Sequence, residues 1–377
     1  MIAHAWRSSS HSQGSSISGS FPDGTVVSSH SACCHRARTG DKSGRHCSSG
    51  ELPETEEFPQ QAIMNGTFSH EPVMCEEILD VFATLDQGVF LDATLGGAGH
   101  SRPLLLAHPQ LRLLGIDQDT SALAASQQVL ADAGLSERAT LRHARFDAVT
   151  TIVQQEGLGS LAGALFDLGV SSHQFDVSER GFSYRFDAPL DMRMDQTRTL
   201  SAHEVVNQFS REQLIAILRN NADERFAVRI TDAIIASRPI SSTTHLAEVV
   251  VAAIPAPARR RGGHPAKRTF QAIRIEVNAE LQILASALRD VIALLQPGGR
   301  LAVLSYHSGE DRIVKEVMRS AESGNCACPV GLPCACGAVR TVRRIRVART
   351  ASAAEQAQNS RSTSARLRVV EKIEGGI

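Results

Sequence analysis

The nine residues 92–100, DATLGGAGH, constrain what this chain can fold into more than any other stretch. An apolar run, Val89-Phe90-Leu91, precedes them, and Ser101 to Leu106 reads as the opening of a helix. Gly96, Gly97 and Gly99 therefore occupy a strand-to-helix turn. Glycine has no Cβ to hold a ligand off the main chain, and it takes positive φ readily. Further on, Leu113-Leu114-Gly115-Ile116-Asp117 reads as a second buried strand, ending in a carboxylate suited to the two hydroxyls of a ribose. Together the two strand ends predict a nucleoside pocket; the alternative is an ordinary glycine turn. A dinucleotide fingerprint would place a third glycine where this chain has Arg102, which disfavours a pyrophosphate ligand and a nicotinamide dehydrogenase.

Asp92, four residues before the first glycine, resembles instead the acid of the first motif in S-adenosylmethionine-dependent methyltransferases. Its carboxylate is expected to receive the methionyl ammonium, directly or through water. The chain has 377 residues, 42% of them hydrophobic, enough for a large core in one big domain or two. A formal net charge of -1 means that any nucleic acid must be held by a local basic patch. No apolar run approaches the roughly 20 residues of a membrane span, and no signal peptide opens the chain, so a cytoplasmic protein without membrane contact is expected.

The expected fold is α/β, a Rossmann-like methyltransferase sheet with an inserted helical subdomain. Residues 1–66 are rich in Ser, Gly, His and Arg without apolar periodicity and read as a disordered extension. The first part of the core, 67–177, opens with an amphipathic helix in HEPVMCEEILDVF and has strands ending at Asp92, Asp117, His143 and Asp167. Ligands in open parallel sheets sit at the carboxyl ends of strands, so Asp167 is expected to face the cofactor. Phe146, just past the third strand, either flanks an adenine or plugs the core. Within 178–268 two capping boxes, Ser201 with Glu204 and Ser210 with Gln213, open helices, and the segment closes on a basic linker from Arg259 to Arg268. Residues 269–318 resume the core with a helical stripe of Leu281, Leu284, Leu288, Ile292 and Leu295, stopped by Pro297-Gly298-Gly299, then a strand through Leu301 to His307. Residues 319–377 read as a Cys- and Arg-rich tail, mobile over 350–365. Its Cys326, Cys328, Cys334 and Cys336 form C-x-C pairs, a looser match to zinc than ribbon spacing, and no metal is assigned.

Several separate blocks then converge: HEPVM at 70–74, DATLGGAGHS at 92–101, DLGVSSHQFD at 167–176, RGFSYRFDAPLDMRMD at 180–195, ERFAVRI at 224–230, HPAKRTFQAIRIEVN at 264–278 and SYHSGEDRIVK at 305–315. In these the chain resembles the bacterial small-subunit ribosomal RNA cytosine-N4 methyltransferase family, known as RsmH or MraW. The resemblance implies methyl transfer from S-adenosylmethionine to the exocyclic N4 of a decoding-centre cytidine in 16S rRNA, within the small ribosomal subunit. It implies a cofactor turn of Ala98, Gly99 and His100 beside Gly96 and Gly97, with Asp117 at the ribose, Phe146 at the adenine, and Asp167 and Gln174 completing the pocket. Cys75, Asp223, Lys267 and Gly309 depart from the more usual residues of the family and bear on target contacts rather than on the cofactor.

An exocyclic cytosine amine is a poor nucleophile because its lone pair is conjugated with the ring. Acceptors facing it, the Asp167 carboxylate or main-chain carbonyls of Leu168 to Val170, would make the pair available and take up a proton. Asp167, Ser171 and Ser172 are thus the catalytic candidates, with Asp191 or Asp195 as substitutes if Asp167 serves only the cofactor. Asp191, Arg193, Lys267, Arg268 and His307 are the candidates for holding substrate, against a reading of His307 as a satisfied loop histidine. Oligomeric state stays open, a homodimer included. The rivals are a DNA or small-amine methyltransferase and an assembly factor that keeps a cofactor pocket without turnover.

Overall fold

Along Gln87–Asp92 (β1) side chains alternate between two cores, Val89 and Leu91 pointing to one and Phe90 to the other. That is the signature of a strand covered on both faces. The computed structural model describes residues 72–171, 174, 177–260, 263–329 and 335–374, so the extension read at 1–66 lies outside the described residues.

β1 is an interior strand of a seven-stranded sheet of order β3-β2-β1-β4-β5-β7-β6, where β2 is Gln110–Asp117, β3 Ala139–His143, β4 Leu161–Asp167, β5 Leu295–Ser305, β6 Val342–Ile345 and β7 Arg366–Lys372. The first five pair in parallel; β7 runs antiparallel to β5 and β6. The order reverses between β1 and β4, and the crevice at such a switch point is where ligands bind in this architecture.

Helices α1 (Cys75–Phe82), α2 (Ser101–Ala107) and α3 (Thr120–Asp132) cover one face through Ile78, Phe82, Leu104 and Leu130. The other face is covered by α4 (Val149–Gln155) and, after the insert, by α11 (Glu280–Leu294) and α12 (Ser308–Ser323) through Ile152, Leu284, Leu288 and Val314. The helical stripe read from sequence lies on α11 as far as Ile292, whereas Leu295 opens β5.

Between β4 and β5 the chain leaves the sheet for α5 (Ala202–Gln208), α6 (Arg211–Ala222), α7 (Ala227–Ala236), α8 (Thr243–Ala253), α9 (Ala256–Arg259) and α10 (Lys267–Asn278). These enclose a core of their own, with Val205, Leu214, Leu218, Ile230, Ile234, Leu246 and Ile273 buried. Both capping boxes form as read, at Ser201 with Glu204 and Ser210 with Gln213. Among the described residues no helix is long and apolar enough to cross a membrane.

The structure differs from expectation at its C-terminal end. Among the described residues after 318, β6 and β7 complete the sheet, and α13 (Ala353–Gln358) lies in the stretch read as mobile. The alternation of Leu367, Val369 and charged neighbours is the period of a strand, masked in sequence by its arginines. One of them is paired: Arg368 binds Asp311 through two bonds of 2.7 and 2.9 Å.

Candidate active site

The site is built at the carboxyl ends of β1, β2, β4 and β5. After β1 the backbone turns sharply, with Gly96 at φ 51° and Ala98 at φ 58°. The backbone N–H of Gly96 donates to Asp117 Oδ2 at 2.8 Å, tying the turn to the end of β2. Asp117 Oδ1 accepts from the N–H of Asp119 at 2.8 Å. A carboxylate has roughly four lone-pair sites, so Asp117 retains acceptors for the two hydroxyls of a ribose. Burial pushes its pKa up to about 6, against the pull of these two N–H groups.

Asp92 does not take the place expected of it. It is 2% exposed and accepts from the Ser101 hydroxyl at 2.6 Å and the Thr94 N–H at 3.2 Å. It braces the turn from within rather than offering itself to an ammonium. Burial raises its pKa, only partly offset by Ser101 and His100.

Asp167, the last residue of β4, is the centre of a polar cluster. Its N–H donates to Thr94 Oγ1 at 2.6 Å, its Oδ1 accepts from the Tyr306 hydroxyl at 2.7 Å, and its Oδ2 lies 3.6 Å from His100 Nε2. The carboxylate is 29% exposed while His100 is 6% exposed, so the acid opens outward and the imidazole does not. Burial disfavours the charged imidazole, but Asp167, Cys75 and Asp92 outweigh it and push its pKa up to about 10. Burial and Asp167 together hold the Tyr306 phenol well above its ordinary range, so it stays a donor.

Gln174 and Asp119 form a second cluster. Gln174 Nε2 donates to Asp119 Oδ2 at 2.8 Å, and its Oε1 accepts from the Ser171 N–H at 3.1 Å. Asp119 also meets Arg180 at 3.1 Å, and Arg180 reaches the carbonyls of Arg193 and Met194 at 2.8 and 3.0 Å. Burial would raise the Asp119 pKa, but Ser121, Gln174 and Arg180 hold it below the ordinary carboxylate value. The first loop after the strands is in this way locked to the insert.

The residues read from sequence divide accordingly. Gly96, Gly97, Ala98, Gly99, His100, Asp117, Asp167, Ser171 and Gln174 come together, Ser171 Cβ being 3.8 Å from where a Cβ on Gly96 would sit. Ser172 lies outside the described residues. Phe146 is 8% exposed and meets the Phe166 ring edge-on at 5.5 Å, within the core. Asp191 and Arg193 bind each other through two bonds of 2.7 and 2.9 Å, and Arg193 also holds the carbonyls of Gln196 and Arg198, a closed loop. Lys267 and Arg268 are exposed at the start of α10, Arg268 with a 3.1 Å bond to the Asp223 carbonyl. His307 caps α12, its Nδ1 accepting from Gly309 and Glu310 N–H groups and its Nε2 3.1 Å from Glu310 Oε1. Its Nδ1 serves the helix start, while its buried Nε2 makes no hydrogen bond among the described residues. Sequence reasoning passed over Thr94, Asp119, Arg180 and Tyr306; only Tyr306 carried a signal, as the residue just past a strand that neighbours β4.

The group implied by the sequence resemblance fits these residues. A Cβ on Gly97 would meet nothing within 4 Å, leaving the turn open on that side. The profile of the MraW methylase family matches residues 67–373. "Ribosomal RNA small subunit methyltransferase H" of Symbiobacterium thermophilum is 47% identical over 315 residues, 82% of this chain and 98% of that protein. The protein of the same name from Heliobacterium modesticaldum is 46% identical over 313 residues, 81% of this chain and 99% of the other. A solved rRNA methylase from Streptococcus thermophilus, at 14% identity and TM-score 0.35 over 80% of this chain and 94% of that one, is too distant to add to this.

Proposed function

Because the chain belongs to the MraW methylase family, S-adenosylmethionine-dependent methyltransferases, we propose that it methylates the exocyclic N4 of a decoding-centre cytidine in 16S rRNA of the small ribosomal subunit. The observation that carries the chemistry is the Asp167 carboxylate, held by Tyr306 beside the glycine turn and open to solvent. The named relatives favour ribosomal RNA over DNA or a small amine.

The main chain of Ala98 and Gly99 and the carboxylate of Asp117 would hold the nucleoside end of S-adenosylmethionine. When bound, the cofactor supplies a methyl group on a positively charged sulfur that leaves readily. Tyr306 occupies one lone pair of Asp167 Oδ1, and the His100 imidazolium balances Oδ2. The remaining lone pairs accept one N4–H of the cytosine, which turns the nitrogen's own pair toward the methyl group. Asp167 is then an orienting acceptor, and the proton released at N4 leaves through its exposed side. Ser171, next to the turn, is placed to act on the base. Exposed Lys267 and Arg268 on the insert suit the flanking phosphates, a contribution that falls with salt. Asp191 and Arg193 hold the loop whose Met194 meets Gln118, just past β2, and the cytoplasm is the compartment in which ribosomal subunits would be met.

The test uses intact small subunits from cells lacking the protein, incubated with labelled cofactor and then digested to nucleosides for mass spectrometry. Label in N4-methylcytidine from 16S rRNA is expected, and none with naked duplex DNA. Label on another atom or on DNA would overturn the substrate; no label on any acceptor would favour an assembly factor.

A further inference from the structure

We propose that Cys326, Cys328 and Cys336 bind a thiophilic divalent cation, zinc in the first instance, and that it staples the connection between α12 and β6. The three sulfurs lie within 4.8 Å of one another. Cys326 and Cys336 Sγ are 3.7 Å apart. A tetrahedral zinc with Zn–S bonds of about 2.3 Å sets its sulfurs about 3.8 Å apart, whereas a disulfide needs about 2.05 Å. The 3.7 Å separation of Cys326 and Cys336 fits two sulfurs on one such centre and is too long for a disulfide.

The connection has reason to need a staple. Its base is pinched: an added Cβ on Gly324, at φ 63°, would lie 2.6 Å from the Val339 backbone, and Thr341 N–H donates to the Ala321 carbonyl at 3.0 Å. Beyond the pinch its described residues form no helix or strand, and Cys326, Cys336 and Val339 are exposed. A segment without a core of its own gains order from a metal tie instead. Cys334 lies outside the described residues and is not counted among the ligands.

Each thiol must give up its proton to bind, and that proton goes to solvent. No electron moves, because zinc has no redox chemistry here. The fourth coordination position is left to a donor outside the trio.

The full chain, equilibrated with zinc under reducing conditions and desalted, should retain about one equivalent by elemental mass spectrometry. The C326S/C328S/C336S variant should retain at least about tenfold less. Its affinity for S-adenosylmethionine, measured by calorimetry, should be unchanged, since none of the three touches the cofactor turn. Cobalt in place of zinc should give the sulfur-to-metal charge-transfer band of thiolate ligation, which decides the matter on the unsubstituted chain should the variant not fold. No retained zinc and no such band, or equal retention by a folded variant, would overturn the site.

Discussion

The Tyr306 hydroxyl donates to Asp167 Oδ1 at 2.7 Å, joining the residue that follows β5 to the last residue of β4. Tyr306→Phe keeps the ring and removes the donor. A hydrogen bond to a charged group contributes about 1.5–3 kcal/mol, so methyl transfer should slow about ten- to a hundredfold in single turnover. Cofactor affinity should change little. A variant with full rate would show that Asp167 needs no such hold.

Asp117 makes cofactor affinity depend on pH. Its pKa is about 6, above the ordinary 3.8, because burial disfavours the charge. Only the carboxylate accepts from both ribose hydroxyls, so affinity should be flat above about pH 6 and fall up to about tenfold per unit below it. The stability of the cofactor-free chain runs the other way: a raised folded pKa contributes stability present below the unfolded value and lost as pH rises through about 6. Calorimetric titrations on either side of that value check the first sign and urea unfolding of the cofactor-free chain the second, and Asp117→Asn should flatten both.

The pair Asp119 and Arg180 ties the sheet to the insert, with side chains 3% and 10% exposed. Removing one partner strands a charge away from water, which costs about 3–5 kcal/mol. Arg180→Met should lower stability to urea by that order, and Asp119→Leu in the same chain should return part of it. If the double variant is no more stable than the single, the loss lies in the bonds from Arg180 to the Arg193 and Met194 carbonyls.

What could be read from sequence was what local pattern encodes. The glycine turn, the acid ending β2, the buried runs of β1, β2 and β4, and both capping boxes each declare themselves within a few residues. Contacts across long separations did not. Arg193 and Asp191 looked like free polar groups facing a substrate, and their closure on each other depends on a loop geometry that spacing does not reveal. Asp92 looked like a ligand and is a brace, because nothing local tells that Ser101 returns beneath it. Asp223 departs from glycine yet holds a left-handed φ of 49° at the end of α6, where its carboxylate accepts from Ser308 at 3.0 Å, a contact spanning the insert.

The C-terminal strand gives the sharpest contrast between sequence and structure. β7 pairs with β5 from Arg366 opposite Ser305 to Glu371 opposite Arg300, and Leu367, Val369 and Val370 are no more than 2% exposed. Full burial of such side chains contributes about 1.5–3 kcal/mol each. Three of them approach the whole stability of an ordinary domain, about 5–15 kcal/mol. A chain ending at 365 also leaves the β5 edge unpaired, the usual template for aggregation. It should therefore be recovered insoluble. Leu367→Ala is the graded version: deleting a buried leucine side chain costs about 2–5 kcal/mol, and the urea midpoint should fall accordingly at unchanged slope. A loose tail would make the same substitution neutral, so a midpoint unmoved by Leu367→Ala would detach β7 from the sheet.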